Sequence, residues 1–464
     1  MKKSYKALAL CLTGVMAVSA LAGCGSKKAA DGKINISIGG WPDEAQEERV
    51  KAYDGYKQQM AEKFPDVNLI PETGNYSDEQ FFTMKAAANQ IPTTYTTNFT
   101  QIQNTINNGY AGDITEVLEE RGLLDALNPA LIDTVKGSDG KIYAFPEYSY
   151  MMGMAINKSL FREAGLVNED GTAKIPNTYE ELAEYARIIK EKTGKSGFAI
   201  CTTSNCGGWH FMNIAWSYGV EFMKQRDDGT WEATFNTPEA VEALQYVKDL
   251  KWKYDVLPDD TVIDQTASLK LLGVGQTAMI FSTPVSEFVS KYGMDVKDYA
   301  VAKTPAGPKG RYSQMGGGVY MFSPTATKEE LNACFDFLKV MGVAEDKLEG
   351  EALANKETKY QTDLEEAGIV LPLSPLELWA APERKAKEEE LNKKYCNMDP
   401  KDYENYLDLS DVELKSEEPM CCQQLYGILD KCIQEVITNK DADCKQVIEN
   451  ACNDFQVNHL DKMD

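Results

Sequence analysis

The sequence is poor in histidine and in positive charge. Its 464 residues include two histidines, His210 and His459, and no Cys-x-x-Cys pair. Zinc centres usually draw on such residues at close spacing, so we expect no metal site and no cofactor. Lys and Arg number 48 against 72 Asp and Glu, a formal net charge of −24. Nucleic acids and anionic lipid surfaces attract basic patches, so this balance argues against both as partners.

The sequence also lacks internal repeats and a second long apolar run. The apolar run from Ala7 to Ala20 follows a lysine-containing start and covers about 14 residues, fewer than the roughly 20 that cross a bilayer. Residues 1–23 therefore have the pattern of a secretory signal peptide. The segment ends at Leu21-Ala22-Gly23-Cys24, which resembles the lipobox of bacterial lipoproteins.

This resemblance implies that Cys24 carries a diacylglyceryl group and becomes the first residue of the mature chain. Two acyl chains suffice for stable anchoring, so we expect the protein on the outer face of the bacterial cell membrane. Residues 24–33 are small and polar, and we expect them to form a flexible tether. The alternative is an ordinary cleaved signal peptide that leaves Cys24 as a thiol.

Eleven cysteines are present, and Cys11 lies within the signal peptide. Cys201 and Cys206 are close enough in sequence for a local disulfide. Six others lie near the C-terminus in segments with helical patterns: Cys396, Cys421, Cys422, Cys432, Cys444 and Cys452. The pattern leaves open whether these are buried thiols or extracellular disulfides.

Strand and helix patterns alternate after the tether. Residues 34–38 alternate like a half-buried strand, and a helix is predicted from about Asp43 to Phe64. Residues 67–70 predict a second strand, and Ser77 with Gln80 predicts a capping box before the next helix. This order favours an α/β domain with a largely parallel sheet.

The alternation returns from about residue 141. Further strands are predicted at 141–146, 151–156, 197–200, 276–281 and 318–322. Thr178 and Glu181 predict the start of an amphipathic helix that ends at Gly194, and Thr327 with Glu330 predicts another capping box. Almost every segment after Thr327 has a helical pattern. Two α/β sections followed by helices fit either two separate domains or two lobes through which the chain passes more than once.

Several segments carry motifs in a fixed order. The segment DGKIYAFP at 139–146 is followed by NKSLFREAGL at 157–166 and PNTYEEL at 176–182. Other matching segments lie at 109–115, 273–279, 305–308 and 316–318. Together they resemble the family 1 extracellular solute-binding proteins, the maltose-binding-protein type of receptor for ABC importers. Tyr179 replaces the family's usual tryptophan, and the aspartate that many members carry after the proline at Pro92 is absent.

The resemblance implies a two-lobed α/β fold of the periplasmic-binding-protein type II class, with mixed sheets flanked by helices and a ligand cleft between the lobes. By this analogy residues 34–144 and 274–320 form the N-terminal lobe. Residues 145–273 and 321–464 form the C-terminal lobe with a helical tail. Crossovers between the lobes are expected near 145–146, 268–273 and 319–322.

Sugar receptors need flat aromatic surfaces for the sugar rings and carboxylates or amides for the hydroxyls. Trp41 follows the first strand, and Asp43 and Glu44 begin the next helix, so we expect them to face the cleft. Tyr76 is a further candidate. The alternative is that Trp41 packs on the lobe and the two acids only favour the helix N-terminus.

Glu147, Tyr148 and Tyr150 follow the proline of the first crossover and are expected on the cleft floor, with a structural role as the alternative for the tyrosines. Trp209 lies in a glycine-containing loop that has little reason to hold a tryptophan for packing.

Two further candidates lie in the second half of the chain. Trp379 occupies a segment where family members often place a cleft aromatic, with helix packing as the alternative. Gly317, inside a glycine triplet, permits close approach of a ligand, although turn geometry explains it equally well.

The leading hypothesis is a lipid-anchored, monomeric receptor that captures a carbohydrate, expected to be an oligosaccharide, and delivers it to ABC permease subunits. No reaction is expected. The alternatives are a receptor for peptides or another polar solute, and a secreted enzyme that degrades polysaccharides, although no paired carboxylates stand in a diagnostic motif.

Overall fold

The computed structural model describes residues 32–463. The predicted signal peptide, Cys24 and most of the tether lie outside this range. The strands are β1 (Ile34–Trp41), β2 (Val67–Thr73), β3 (Thr94–Asn98), β4 (Ala144–Met151), β5 (Gly153–Asn157), β6 (Ser196–Ala199), β7 (Met223–Gln225), β8 (Trp231–Ala233), β9 (Thr277–Ser282), β10 (Tyr299–Lys303), β11 (Arg311–Phe322) and β12 (Val412–Ser416).

Helices flank these strands. They are α1 (Glu47–Lys63), α2 (Glu79–Ala87), α3 (Ile102–Asn107), α4 (Thr115–Glu120), α5 (Pro129–Val135), α6 (Lys158–Ala164), α7 (Tyr179–Thr193), α8 (Cys206–Tyr218), α9 (Pro238–Trp252), α10 (Gln265–Gly273), α11 (Glu287–Ser290), α12 (Lys328–Val340), α13 (Gly350–Thr362), α14 (Pro382–Tyr395), α15 (Glu404–Leu407), α16 (Cys422–Thr438) and α17 (Cys444–Asn458). No helix within residues 32–463 combines the length and the apolar character that a membrane span requires.

The first sheet has the strand order β12-β11-β3-β1-β2, and β4 also pairs with β11. The alternating pattern of β1 buries Ile36 and Ile38, and β1 is parallel to β2 and β3, as its sequence predicts. The long strand β11 runs antiparallel to β3 and β4. We call this sheet and the helices packed on it the first lobe.

The second sheet has the order β10-β5-β9-β6. Every residue of β5, β9 and β10 is buried, which is typical of strands covered by helices on both faces. The helix α7 covers β6, and α8 and α9 pack together beside it with α16. We call this sheet and these helices the second lobe.

The sheet pairing divides the chain differently from the expected lobe boundaries. The strands β9 and β10, within 274–320, pair with β5 in the second sheet. The chain changes sheets at Met152, between β4 and β5, and again over residues 304–310, between β10 and β11. These positions differ from the expected crossovers because β4 and β11 continue through the expected positions as paired strands of the first sheet.

The C-terminal part is shared between the lobes and is not a uniform helical tail. The helix α12 packs on β1, whereas α16 packs on α8. The strand β12 interrupts the helical region and pairs in parallel with the first half of β11. A strand of five residues at a sheet edge depends on its partner for its structure, so a local pattern does not reveal it.

Two of the three helix starts that capping residues predicted have the expected cap. Thr178 accepts a hydrogen bond from the backbone N–H of Glu181, and Thr327 forms a complete capping box with Glu330. The cap of α2 differs from the prediction, because the carboxylate of Asp78 and not Ser77 accepts from the N–H of Phe81.

The cysteines are thiols throughout the described chain. Nine free cysteines lie in residues 32–463, among them Cys201 and Cys206, which form no disulfide. Of the six near the C-terminus, Cys422, Cys432, Cys444 and Cys452 are buried on α16 and α17. The sequence left buried thiols and extracellular disulfides as alternatives for these cysteines, and the structure contains free thiols.

Candidate functional site

A cleft of about 580 Å³ lies where the two lobes face each other. Its walls come from the carboxyl ends of β3, β6 and β9, from β4 and β11, and from the N-terminal turns of α8, α10 and α16. Open α/β sheets bind ligands at such strand ends. The lining residues are Asn98, Thr100, Tyr148, Tyr150, Ser204, Asn205, Cys206, Trp209, Asp264, Gln265, Thr266, Thr283, Gly317, Glu417, Gln423 and Tyr426.

Two tyrosines of β4 form the aromatic floor of the first lobe. Tyr150 and Tyr148 stand directly opposite Gly316 and Gly318 of β11. A β-carbon at Gly316 would collide with the Tyr150 ring, and one at Gly318 would come within 2.6 Å of the Tyr148 ring. The absence of side chains at Gly316 and Gly318 therefore lets both rings lie close over the backbone of β11.

Trp209 lies on the first turn of the helix α8 and not in a loop, as was predicted from its glycines. Asp430 of the second lobe holds the N-terminus of this helix in place. The carboxylate of Asp430, on α16, accepts from the backbone N–H of Asn205 at 2.7 Å and of Gly208 at 2.8 Å. The Trp209 ring meets the Tyr150 ring edge to face, with centroids 6.0 Å apart and planes at 89°. Aromatic groups of both lobes thus meet in the cleft.

A hydrogen-bond chain links β11 to the segment before α16. Gln314 donates from its side-chain nitrogen to the hydroxyl of Tyr426 at 2.6 Å, and that hydroxyl donates to the carboxylate of Glu417 at 2.9 Å. Burial raises the pKa of Glu417 to about 7, although the hydrogen bond from Tyr426 opposes this shift. Glu417 therefore changes charge near neutral pH.

The charges around the cleft are negative. The ionisable acids in its lining are Asp264 and Glu417, and none of the described lining residues is Lys, Arg or His. Burial, together with the charge of Glu417, raises the pKa of Tyr150, so its hydroxyl remains protonated and can donate a hydrogen bond. The cleft thus offers hydroxyl and amide groups, two carboxylates and aromatic rings, and it disfavours anions.

Four of the residues singled out from the sequence line this cleft: Tyr148, Tyr150, Trp209 and Gly317. A β-carbon at Gly317 would strike the carbonyl oxygen of Tyr148 and lie 2.9 Å from the Phe99 ring. Close packing of strands therefore accounts for this glycine without a ligand.

The structure places three predicted aromatic residues in the core and away from the cleft lining. Trp41 is 7% exposed and its ring contacts Tyr53 at 4.9 Å. Tyr76 packs against Tyr95 at 5.1 Å. Trp379 is 3% exposed, between Phe145 and the guanidinium of Arg384. Burial of their apolar surface accounts for all three.

The three predicted acids also lie outside the cleft lining. Asp43 and Glu44 are exposed, and the Asp43 carboxylate accepts from the backbone N–H of Ala45. Glu147 alternates with Tyr148 along β4 and accepts from the hydroxyl of Tyr320 at 3.1 Å. Burial raises the pKa of Glu147.

Sequence reasoning missed the contribution of α10 and α16. Asp264 is the N-cap of α10 and accepts from the N–H of Ala267, a signal that the Asp and the helix pattern carry. Glu417, Gln423 and Tyr426 carry no local signal, because they reach the cleft only when α16 packs on α8.

Comparison with known proteins gives three consistent findings. A family model of bacterial extracellular solute-binding proteins matches residues 46–347. Curated binding proteins of Brucella abortus and Brucella suis are each 29% identical over 234 residues, which is 47% of this chain and 54% of each relative. The chain thus spans about half the length of the curated relatives that it matches.

Solved structures resemble nearly the whole chain. A cyclic α-maltosyl-1,6-maltose binding protein of Arthrobacter globiformis has a TM-score of 0.62 at 20% identity, covering 91% of this chain and 98% of its own. An ABC substrate-binding protein of Listeria monocytogenes in complex with cycloalternan scores 0.64 at 18%, covering 91% and 98%. UgpB of Mycobacterium tuberculosis in complex with glycerophosphocholine scores 0.66 at 15%, covering 92% and 98%. These likenesses show the two-lobed periplasmic-binding-protein-like fold.

Proposed function

We infer that this chain, which belongs to the bacterial extracellular solute-binding proteins, is a lipid-anchored receptor that captures an oligosaccharide and delivers it to an ABC transporter. The observation that supports this proposal is the composition of the cleft. Tyr148, Tyr150 and Trp209 present aromatic surface, and amide and carboxylate groups surround them. Sugar rings have one apolar face and a rim of hydroxyls, so these groups match both parts of such a ligand.

The proposed mechanism is closure of the lobes around the solute, with no chemical step. The ligand favours the closed state to the extent that it binds that state more tightly than the open one. Contacts to both Tyr150 and Trp209 would supply this difference, because one belongs to each lobe. Two of the similar structures support a carbohydrate ligand for this chain by analogy. One is named a cyclic α-maltosyl-1,6-maltose binding protein, and the other was solved in complex with cycloalternan.

The test is a titration of intrinsic tryptophan fluorescence in the chain that lacks residues 1–24. A panel of neutral oligosaccharides of different length and linkage is added at constant pH and salt. Saturation in the micromolar range, with the sugar recovered unchanged, is the expected result. A flat response to every sugar, in a protein whose thermal unfolding is cooperative, would contradict the carbohydrate assignment.

A cationic peptide or other positively charged solute is the second candidate. Asp264 and Glu417 line the cleft, and none of its lining residues within 32–463 is cationic, which favours this class as well. Aromatic rings also attract cations. The two candidates differ in their salt dependence. Affinity for a charged peptide should fall as ionic strength rises, whereas affinity for a neutral sugar should stay nearly constant.

The membrane anchor is tested separately with Cys24→Ala. We expect the wild-type protein in the membrane fraction and the variant in the medium, because the variant cannot carry the diacylglyceryl group. Equal membrane association of both proteins would show that the anchor is not at Cys24. The variant retains the cleft, so its sugar affinity serves as the control for folding.

A further inference from the structure

Two thiols and an imidazole converge beside the cleft. Cys201 follows β6, Cys206 is the first residue of α8, and His210 lies one turn later on that helix. The sulfur atoms of both cysteines and one ring nitrogen of His210 all lie within 4.8 Å of one another. Exposed fractions of 0%, 6% and 1% show that the three side chains are buried together.

The spacing of these atoms suits a bound metal ion. Zinc binds thiolate sulfur at about 2.3 Å and imidazole nitrogen at about 2.0–2.1 Å, so neighbouring sulfur and nitrogen ligands of a tetrahedral site lie roughly 3.6 Å apart. The sulfur of Cys206 and Nε2 of His210 are 3.7 Å apart. A metal ion would therefore require only a small adjustment of these two side chains.

The electrostatic surroundings also favour a cation. The carboxylates whose charges act on Cys206 are those of Asp430 and Asp264. Nearby carboxylates stabilise a cation at this position, and thiolate is the form in which cysteine binds metal ions.

The histidine is compatible with ligation. Its Nδ1 atom is buried and has no hydrogen-bond partner. With the proton on Nδ1, the lone pair of Nε2 is left for an ion on the side of the two thiols.

We propose that Cys201, Cys206 and His210 form a binding site for a thiophilic cation, Zn²⁺ or Cu⁺. Binding displaces the thiol protons to solvent, and the metal keeps its oxidation state. Both ions accept this set of soft sulfur and imidazole ligands, whereas Mg²⁺ and Ca²⁺ require oxygen ligands. Cys206 also lines the cleft. With three protein ligands, zinc retains an open position, as it does in catalytic and exchangeable sites.

This site revises the expectation from the sequence, which rested on the scarcity of histidine and the lack of a Cys-x-x-Cys pair. The spacing Cys-x4-Cys-x3-His brings the ligands together only because the loop after β6 turns into α8. Ser204 and Asn205 make that turn with left-handed backbone, at φ values of 60° and 66°.

The experiment uses the purified chain, reduced and kept under inert gas, with Zn²⁺, Cu⁺ and Mg²⁺ added separately. Unbound metal is removed by gel filtration, and metal per chain is measured by mass spectrometry of the elements. We expect one Zn²⁺ or Cu⁺ per chain and no Mg²⁺. Which of the two ions is retained against a competing chelator identifies the cation.

Variants assign the ion to the site. Cys206→Ser and His210→Gln should each weaken binding at least tenfold, while Cys452→Ser, a buried thiol on α17, should leave it unchanged. A far-ultraviolet circular dichroism melt of each variant shows that it is folded, and two independent substitutions keep the test valid if one fails to fold. Failure of the wild-type protein to bind either ion would overturn the proposal.

Two further outcomes would also overturn it. Metal binding that is equally strong in Cys206→Ser would place the ion on other thiols. The other is a Cys201–Cys206 disulfide, detected by peptide mass spectrometry in protein isolated without reductant, because its two sulfur atoms would be unavailable as thiolate ligands. The site does not depend on the identity of the solute, so these results leave the proposed receptor function untouched.

Discussion

Trp209 contributes an aromatic ring from the second lobe to the cleft. Its ring contacts Tyr150 edge to face, and Asp430 fixes the N-terminus of α8, the helix that carries it. We expect Trp209→Ala to weaken oligosaccharide binding at least tenfold, or about 1.4 kcal/mol, because the sugar loses a stacking surface. Isothermal titration calorimetry measures the affinity without relying on the fluorescence of the removed ring.

The matched control is Trp231→Ala on β8, a tryptophan outside the cleft lining. This variant should bind as the wild-type protein does. Unchanged affinity in a folded Trp209→Ala variant would place Trp209 outside the binding site.

Glu417 should make solute binding depend on pH. Its pKa of about 7 means that the carboxylate is roughly one tenth ionised at pH 6 and nine tenths ionised at pH 8. Ligand hydroxyls donate hydrogen bonds more strongly to a carboxylate than to a neutral acid, so affinity should rise by up to about tenfold between these values. Titrations at several pH values at constant ionic strength measure this change.

The variant Glu417→Gln retains an acceptor for the Tyr426 hydroxyl but cannot ionise. Its affinity should be flat over the same range. A pH dependence that survives in this variant would assign the effect to another group.

The sequence did not distinguish aromatic residues that pack in the core from those that line the cleft. Trp41 and Trp209 both lie near glycine residues in the sequence, and both were predicted to face the cleft. Trp41 instead packs on Tyr53 of α1 and Phe337 of α12. Phe337 lies almost 300 residues away in sequence, so no local pattern distinguishes a ring that will be covered from one that stays accessible.

At the scale of elements, the pairing of β4 with β11 forms the floor of the site. The tyrosines of one strand rest on the glycines of the other. Gly316→Ala should push the Tyr150 ring away, and we expect lower sugar affinity together with lower stability. Denaturant unfolding and calorimetry measure the two effects.

Gly55 is the matched control, since it lies inside α1 with no atom within 4 Å of an added β-carbon. Gly55→Ala should raise stability by about 0.5–1 kcal/mol and leave affinity unchanged. Wild-type affinity in Gly316→Ala would show that the position of Tyr150 does not matter for binding.

The helices α7 and α12, which carry their own capping signals, were predicted from the sequence, whereas the strand β12, which depends on a distant partner, was not. The N-caps Thr178 and Thr327 satisfy backbone N–H groups within three residues, so the local sequence contains the whole interaction. The strand β12 exists because the distant β11 offers an edge to pair with. Its residues therefore lay in a segment that was predicted to be helical.

For the whole molecule, hydrogen bonds join the lobes beside the cleft. The backbone N–H of Gln314, on β11, donates to the side-chain oxygen of Asn213 on α8 at 2.8 Å. Gln424 on α16 donates to the carboxylate of Glu79 on α2 at 2.5 Å. Individual hydrogen bonds of this kind can break and form again when the lobes move, so a bound ligand can shift the equilibrium between open and closed states.

Closure should be visible by small-angle X-ray scattering. We expect a smaller radius of gyration at saturating oligosaccharide than without it, since the ligand stabilises the closed state. Trp209→Ala should need about tenfold more sugar to reach the smaller radius, because its binding is weaker. An unchanged radius in saturated wild-type protein would contradict lobe closure.

The sequence by itself determined the α/β class, the caps of α7 and α12 and the family resemblance, and it suggested that aromatic residues form the site. These follow from local periodicity, local hydrogen bonds and residue type. The tertiary structure decided which strands share a sheet, which aromatic rings reach the cleft, and that Cys201, Cys206 and His210 converge. Those outcomes depend on burial between segments far apart in the chain, and the free energy of that burial belongs to the assembled fold and not to any single segment.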